Sequence, residues 1–208
     1  MFTKYPSTPH LPWSPGVSRD DSILKDLSHF VGKRVIASKK MDGETTTGYS
    51  NGHVHARSID SRGGEDRAWV KSMFANIAHN MPENWRICGE NLWAKHSIYY
   101  DSLPSYFMGF SIWNEDNVCL SWDDTVQYFQ LLGIESVPVI YDGVWDEVFF
   151  RCIHNMLDPE KDEGFVVRLA DSYHYDDFAR SIAKFVREGH VQTDKHWRHQ
   201  KIVPNGLK

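Results

Sequence analysis

The hydrophobic positions of the chain fall mainly into short runs bounded by turn residues, a pattern typical of β-strands. Residues 33–40 and 44–58 are predicted as strands around Asp42-Gly43 and Asn51-Gly52, dipeptides that favour β-hairpin turns. Further strands are predicted at 85–90, 105–113, 137–141, 163–170 and 181–187. From these strands we expect sheets that are mainly antiparallel.

Helical spacing of apolar residues predicts helices at 20–30, 65–80, 122–132 and 144–156. The third of these opens on the capping box Ser121-x-x-Asp124 and closes at Gly133. Prolines at every third position from 6 to 15 predict an extended arm over residues 1–18. We therefore expect one α+β domain over residues 1–208, with antiparallel sheets flanked by helices and a basic tail at 195–208.

Composition places the chain among ordinary globular proteins, with 41% hydrophobic and 25% charged residues. It holds no apolar run of eighteen residues and no signal-like apolar start, so we expect no membrane association. From the few scattered cysteines we expect a cytoplasmic location, and we expect a monomer. The three cysteines are too few and too scattered for a disulfide framework. A net charge of −5 argues against a protein coated in nucleic acid, yet it leaves room for a local basic groove.

The stretch SKKMDGETTTGY ends a predicted strand on two lysines and turns at once on Asp42-Gly43. A Lys-x-Asp-Gly string alone is weak, since it turns up by chance in roughly one chain in twenty of this length. Its weight comes from five companion segments further along the chain. In order, these segments are His55-Ala56-Arg57-Ser58, Cys88-Gly89-Glu90, Tyr106-Phe107-Met108-Gly109-Phe110, Glu163-Gly164-Phe165-Val166-Val167-Arg168 and Ala183-Lys184-Phe185-Val186-Arg187.

Each of these residues also has a plain structural interpretation when it is taken singly. Lys40 fits a solvated hairpin, Phe110 a strand facing a core, and Glu163 a charge at a strand edge. Arg57 alone fits a surface cation. His53-x-His55 would place two imidazoles on one strand face, but no Cys or acid lies beside them at zinc-ligand spacing. All five segments occurring together in this order favours a shared chemical role.

In this set of segments the chain resembles the covalent nucleotidyltransferase superfamily of ATP-dependent RNA and DNA ligases and RNA capping enzymes. It is most similar to the RNA ligase branch, in its compact phage or bacterial form, over about residues 33–190. The resemblance implies the ATP-grasp-like adenylation fold of these ligases. It also implies an enzyme that uses ATP with Mg²⁺ or Mn²⁺ to join RNA ends carrying a 5′-phosphate and a 3′-hydroxyl.

The resemblance implies that Lys40 attacks the α-phosphate of ATP and becomes lysyl-AMP. It assigns Lys184 to the α-phosphate and Glu163 to the surroundings of Lys40. The attacking amine must be neutral, although a free lysine has a pKa of about 10.4, so nearby positive charge is expected to lower its pKa. Hard cations prefer oxygen ligands and keep several waters. The implied metal contacts, made through water, are Asp42, Glu90 and Glu163.

The remaining implied nucleotide contacts surround the lysine. Glu90 would bind the ribose, Phe110 would stack on adenine, and Arg57 would contact a phosphate. Lys39, Asp42, Gly43 and Arg187 complete the implied nucleotide-binding set. In the basic tail, Lys195, Trp197 and Arg198 offer cations and an aromatic ring to RNA, and a solvated tail is the alternative.

The chain departs from the family pattern in two respects. The last segment has Lys184 followed by Val186 and Arg187, where the family has two lysines two residues apart. Only about twenty residues follow it, so we expect no OB domain and no helical C-terminal domain. A DNA ligase, a guanylyltransferase and a non-catalytic nucleic-acid-binding relative stay open as alternatives. The expected lack of an OB domain counts against the first two.

Overall fold

The computed structural model describes residues 2–61, 64–158, 160–189 and 202–208. Its strands are β1 Arg34–Lys40, β2 Glu44–Tyr49, β3 Val54–Ala56, β4 Arg86–Asn91, β5 Phe107–Trp113, β6 Val118–Cys119, β7 Glu135–Ser136, β8 Val139–Val144, β9 Gly164–Leu169, β10 Tyr173–His174 and β11 Ile182–Val186. Its α-helices are α1 Ala68–Ile77, α2 Trp122–Leu132, α3 Glu147–Cys152 and α4 Phe178–Ser181. Short 3₁₀ helices lie at Ser28–Phe30, Glu65–Arg67, Ala78–Asn80, Ile153–Met156 and Tyr175–Asp177.

Within this described part of the chain the strands form two sheets. The first sheet has four strands in the order β11-β9-β1-β8, and all of its pairs are antiparallel. The second has seven, ordered β10-β6-β5-β4-β2-β3, with β7 parallel to β5. β1 and β2 lie in different sheets, so the Asp42-Gly43 turn carries the chain from one sheet to the other. The expectation of an α+β fold with antiparallel sheets and flanking helices is confirmed.

Buried apolar side chains form layers on both sides of each sheet. The outer face of the first sheet packs against α3 through Val35, Phe150 and Phe165. On the outer face of the second sheet, Phe74 of α1 and Phe129 of α2 pack together with strand residues. Two further clusters fill the space between the sheets. Alternation along the strands therefore points every second residue of β1, β9 and β11 toward the second sheet.

The arm from Pro9 to Gly16 adds backbone pairing to the free edge of β11. Lys184 donates its backbone N–H to the Pro9 carbonyl, and Leu11 returns a bond to the Lys184 carbonyl, each at 2.8 Å. Gly16 donates to Val186 at 2.9 Å. These bonds cover a sheet edge that would otherwise expose unpaired backbone groups.

The predicted helices at 65–80 and 122–132 are confirmed, including the Ser121 cap and the left-handed Gly133 at φ 66°. The prediction at 20–30 is wrong except for the single turn at Ser28–Phe30. Leu24 instead donates its backbone N–H to His10, and His10 donates to Ser22, so the arm takes the backbone bonds that a helix would need. No helix among the described residues has both the length and the apolar character needed to cross a membrane.

Candidate active site

A pocket of about 730 Å³, part of it open to solvent, lies between the two sheets. From the first sheet, β1, β9 and β11 turn alternate side chains into it. These side chains are Ile36, Ser38 and Lys40, Val166 and Arg168, and Ile182 and Lys184. Thr45, Glu90 and Phe110 face it from the second sheet. The pocket therefore gathers residues from strands that are far apart in sequence.

Lys40 ends β1 with its ammonium group directed at a carboxylate. Its Nζ lies 2.6 Å from Glu163 Oε2, and only 25% of the lysine side chain and 8% of the glutamate side chain are exposed. Burial would lower the pKa of Lys40, but Glu163 and Glu90 outweigh it, and the pKa is raised above its usual value. The contact with Glu163 thus favours the protonated form of Lys40.

Lys39 makes a parallel ion pair with the residue before Glu163. Its Nζ donates to both carboxylate oxygens of Asp162, at 2.8 and 2.9 Å. Asp162 is buried and also accepts from the Asp158 backbone at 2.9 Å. Two adjacent lysines thus meet two adjacent acids across β1 and the start of β9. Lys39 also lines the pocket, although its ammonium is held by Asp162.

Glu90 is a partly buried carboxyl group beside this ion pair. Burial raises its pKa to about 8, and Glu163 and Asp42 add to the shift while Lys40 opposes it. Thr45 Oγ1 lies 3.5 Å from Glu90 Oε2. Glu90 thus lines the same end of the pocket as Lys40 and can offer a carboxyl oxygen there.

Lys184 enters the pocket from β11 and is bound by an acid of the N-terminal segment. Its Nζ donates to Asp21 Oδ1 at 3.1 Å, and His10 Nε2 lies 3.3 Å from the other oxygen of that carboxylate. Burial works to raise the pKa of Asp21, yet bonds from Ser18 and Lys184 hold it below its usual range. Lys40 and Lys184 thus each have their own carboxylate.

Asp42 and Gly43 hold the turn between the sheets rather than facing the pocket. Asp42 Oδ2 accepts backbone N–H bonds from Ser97 and Ile98, both at 2.7 Å. A Cβ on Gly43 would lie 2.6 Å from the backbone oxygen of Asn91, so glycine allows the turn to press against the end of β4. This close approach brings Lys40 and Glu90 to one end of the pocket.

Phe110 faces the pocket from β5 beside an aromatic ring of the arm. Its ring centroid lies 5.1 Å from that of Tyr5, at an interplanar angle of 64°. Tyr5 is buried and also contacts Phe178 edge-on. Phe110 is only partly buried, and it borders both apolar clusters between the sheets. An aromatic wall is therefore available to a planar ligand.

Arg57 and Arg187 are two predicted nucleotide contacts that do not line this pocket. Arg57 is exposed and donates to Ser7 Oγ at 2.6 Å, next to Thr8, which does line the pocket. Arg187 donates through Nε to the Asp162 carbonyl at 2.8 Å and borders a separate cleft with Trp13. Arg187 therefore supports the segment that leads into β9 and carries Glu163.

The remaining predicted contacts concern metal and RNA. No group of three or more His, Cys, Asp or Glu side chains among the described residues is placed to ligate a metal directly. The predicted contacts through water do not require such a group. His53 stacks on Phe2 with centroids 3.7 Å apart, and His55 Nε2 lies 3.1 Å from the Tyr49 hydroxyl. Lys195, Trp197 and Arg198 lie outside the described residues.

Several residues that line the pocket or support it were not predicted from the sequence. Among them are Tyr5, Thr8 and Arg168, which line the pocket, and Asp21, which binds Lys184. Arg168 carried a signal, since a charged residue interrupts the apolar run of β9 on the face that also carries Val166. The arm residues carried no such signal. The proline spacing predicts an extended segment, but it does not show where that segment packs on the rest of the fold.

Comparison with known proteins gives a family and a fold. The family model described as RNA ligase matches residues 33–186. No match emerges from the curated protein sequences. Naegleria gruberi RNA ligase is structurally similar: one mutant with ATP and Mn has a TM-score of 0.59 at 16% identity, covering 91% of this chain and 62% of that one. Another with ATP and Mn has a TM-score of 0.57 at 17% identity, covering 80% and 53%.

A mutant of the same ligase with AMP and Mn has a TM-score of 0.58 at 17% identity, again covering 80% and 53%. Identities this low establish likeness of fold. The chain spans about half the length of these first structures.

Proposed function

Because the chain belongs to the RNA ligase family, we propose that it seals RNA ends with ATP through a lysyl-AMP intermediate on Lys40. The substrates are an RNA 5′-phosphate and an RNA 3′-hydroxyl. The observation that carries this proposal is the placement of Lys40, in contact with Glu163 and facing a pocket that Lys184 also enters. The ATP and AMP in the similar Naegleria ligase structures support the choice of adenine nucleotide.

In the first step the Lys40 Nζ lone pair forms a bond to the α-phosphorus of ATP. The bond from that phosphorus to the bridging oxygen breaks, and its electron pair leaves with pyrophosphate. Lys40 must first lose a proton, and Glu163 Oε2 at 2.6 Å is the carboxylate in position to accept it. Holding nucleophile and acceptor in contact on β1 and at the start of β9 removes much of the entropic cost of reaction.

Lys184 is the cation that the pocket offers to the α-phosphate. To make that contact its ammonium exchanges the Asp21 carboxylate for a phosphate oxygen, which is also an anionic acceptor. Charge on the transferring phosphate is thereby stabilised at the point where it develops. The ion pair with Asp21 keeps Lys184 ordered before nucleotide arrives.

A divalent cation fits the acidic end of the pocket. Glu90 lines this end, and Glu163 and Asp42 lie near enough to raise the pKa of Glu90. Carboxyl oxygens of this type suit Mg²⁺ or Mn²⁺ with water between them and the ion. When bound, such an ion would neutralise phosphate charge. Its positive charge would also offset the carboxylates that now hold the pKa of Lys40 high.

In the second step an oxygen of the RNA 5′-phosphate attacks the phosphorus of lysyl-AMP, breaking the P–N bond and returning the proton to Lys40. In the third, the RNA 3′-hydroxyl attacks the 5′-phosphorus, loses its proton and releases AMP. We propose that Lys195, Trp197 and Arg198 hold RNA by charge and stacking. Arg57 stands on the exposed surface next to the arm and offers a further phosphate contact.

The deciding experiment is intact mass spectrometry after incubation with ATP and Mg²⁺. The wild type should gain one AMP, released by acid or by pyrophosphate, and Lys40→Ala should gain nothing. Lys71→Ala, on the exposed face of α1, is the matched control and should label normally. No gain by wild type with ATP or GTP, in Mg²⁺ or Mn²⁺, would reject the proposal.

End joining is tested separately with 5′-phosphorylated RNA and DNA strands of the same sequence. Sealing of RNA with an RNA-adenylate intermediate supports the ligase. Transfer of label from GTP to a diphosphate end would favour the guanylyltransferase alternative. RNA retention without any covalent adduct would indicate a binding relative of the family.

A further inference from the structure

Arg168 is a buried arginine with one unsatisfied nitrogen at the inner end of the pocket. Only 4% of the residue is exposed. Its Nε donates to the Leu169 carbonyl at 3.0 Å and its Nη2 to the Leu120 carbonyl at 2.7 Å. Nη1 is buried and has no acceptor among the described residues. Because an unpaired buried donor is costly, such a group points to a missing partner.

A second unsatisfied group lies beside it. The Tyr173 hydroxyl is buried and likewise lacks a partner in the described part of the chain. The guanidinium carbon of Arg168 lies 5.2 Å from the centroid of the Tyr173 ring. The thiol of Cys119 is close enough to hydrogen-bond both side chains, but a thiol is a weak partner. Both residues line the pocket, so its inner end holds two polar groups that can bond a ligand atom.

The strand register fixes how far this end lies from the nucleophile. Gly164 of β9 pairs with Lys40, and Arg168 pairs with Ile36. Four residues of strand separate the two levels, which corresponds to about 13 Å. If the α-phosphate of a nucleotide lies at Lys40, the ribose and base can extend along the pocket toward the level of Arg168. Arg168, Tyr173 and the ring of Trp122 surround the space at that level.

We propose that Arg168 is a specificity-determining residue whose Nη1 donates to a ring nitrogen of the purine base. A guanidinium only donates, and adenine offers acceptors at N1, N3 and N7. The two carbonyl bonds lock the guanidinium plane, so Nη1 is oriented before the base arrives. The inference deepens the proposed function, since it assumes that the nucleotide of the ligase reaction occupies this pocket.

The test measures equilibrium binding of AMP to wild type by calorimetry, beside 1-deaza-, 3-deaza- and 7-deaza-AMP. Each analogue replaces one ring nitrogen with C–H. One of them should bind roughly 10- to 100-fold more weakly than AMP, the loss expected for a hydrogen bond to a charged donor. The other two should bind like AMP. Because this series uses the unaltered protein, it does not depend on whether a variant folds.

Variants then identify the donor. Arg168→Gln should weaken AMP by a similar factor, and the sensitive analogue should bind that variant no worse than AMP does. Arg168→Lys keeps the charge and should lie between. Arg86→Gln is the matched control: Arg86 is also buried, but it bonds Asn117 away from the pocket and should leave AMP affinity unchanged.

Equal binding of all three analogues, equal weakening by all three, or no detectable AMP binding by wild type would overturn the role of Arg168. Lysyl-AMP formation is scored in the separate mass assay. A labelled wild type that binds all three analogues equally would leave the ligase proposal standing without Arg168. If the wild type gains no AMP in the mass assay but binds one analogue more weakly than AMP, the base contact is supported and the ligase reaction is rejected.

Discussion

Lys184 Nζ lies 3.1 Å from Asp21 Oδ1, and this ion pair joins β11 to a segment that precedes β1. The family model begins at residue 33, so this acid lies outside the matched region. The arm backbone also pairs with β11 on both sides of Lys184. The position of Lys184 in the pocket therefore depends on residues that lie outside the matched region.

Asp21→Asn should destabilise the protein by about 1–2 kcal/mol at pH 7, because it weakens charged hydrogen bonds from Ser18 and Lys184. The pKa of Asp21 is lowered on folding, so its contribution is present above the unfolded pKa near 4 and is lost as pH falls further. Urea unfolding at several pH values measures this. The difference from wild type should be constant from pH 5 to 7 and shrink below about pH 4. A constant difference at every pH would contradict the ion-pair role.

Glu163→Gln should slow lysyl-AMP formation by roughly 100-fold or more, the range expected for loss of a general base. Its matched control is Asp162→Asn, which makes the same charge change one residue earlier at the acid bonded to Lys39. That control should retain most of the labelling rate and lose stability, since Asp162 is buried. Single-turnover labelling and thermal unfolding separate the two effects. Equal slowing by both variants would show that overall charge matters, rather than contact with Lys40.

Glu90→Gln should stabilise the metal-free protein while weakening nucleotide binding. Folding raises the pKa of this carboxyl to about 8, so the folded state loses stability as pH rises from about 4.5 toward 8. The variant should exceed wild type by roughly 1–3 kcal/mol at pH 8 and match it near pH 4. Thermal unfolding in EDTA across this range checks the trend. A stability difference between the variant and the wild type that does not grow with pH would contradict a raised pKa of Glu90 in the folded state.

The strands that carry the site were predictable because their turn signals and apolar runs are local. Asp42-Gly43 was expected as a hairpin turn, yet it joins two different sheets. A dipeptide fixes the local bend, whereas the partner of each strand is decided by packing far along the chain. The short strands β6, β7 and β10 carry no periodic signal. They form because neighbouring strands supply backbone hydrogen-bond partners for them.

The family resemblance named Lys40, Glu90, Phe110, Glu163 and Lys184 as site residues, and their roles stay predictions. The structure places Lys40, Glu90, Phe110 and Lys184 on one pocket and Glu163 in contact with Lys40. Arg57 and Arg187 were less predictable because an arginine side chain is long and its direction depends on its neighbours. Arg168 carried a signal as a charge within the apolar run of β9, but the burial of its Nη1 without an acceptor among the described residues is visible only in the packed interior.

Phe110→Leu should weaken AMP binding by about 5- to 100-fold, since stacking of a base on an aromatic ring contributes roughly 1–3 kcal/mol. Its control is Phe107→Leu on the same strand, whose ring is fully buried against Phe74 of α1, away from the pocket. Phe107→Leu should lower the thermal midpoint and leave AMP affinity near that of wild type. Calorimetric titration at a temperature where both variants are folded measures the affinities. If Phe110→Leu loses only stability, Phe110 is a core residue and the base lies against another wall of the pocket.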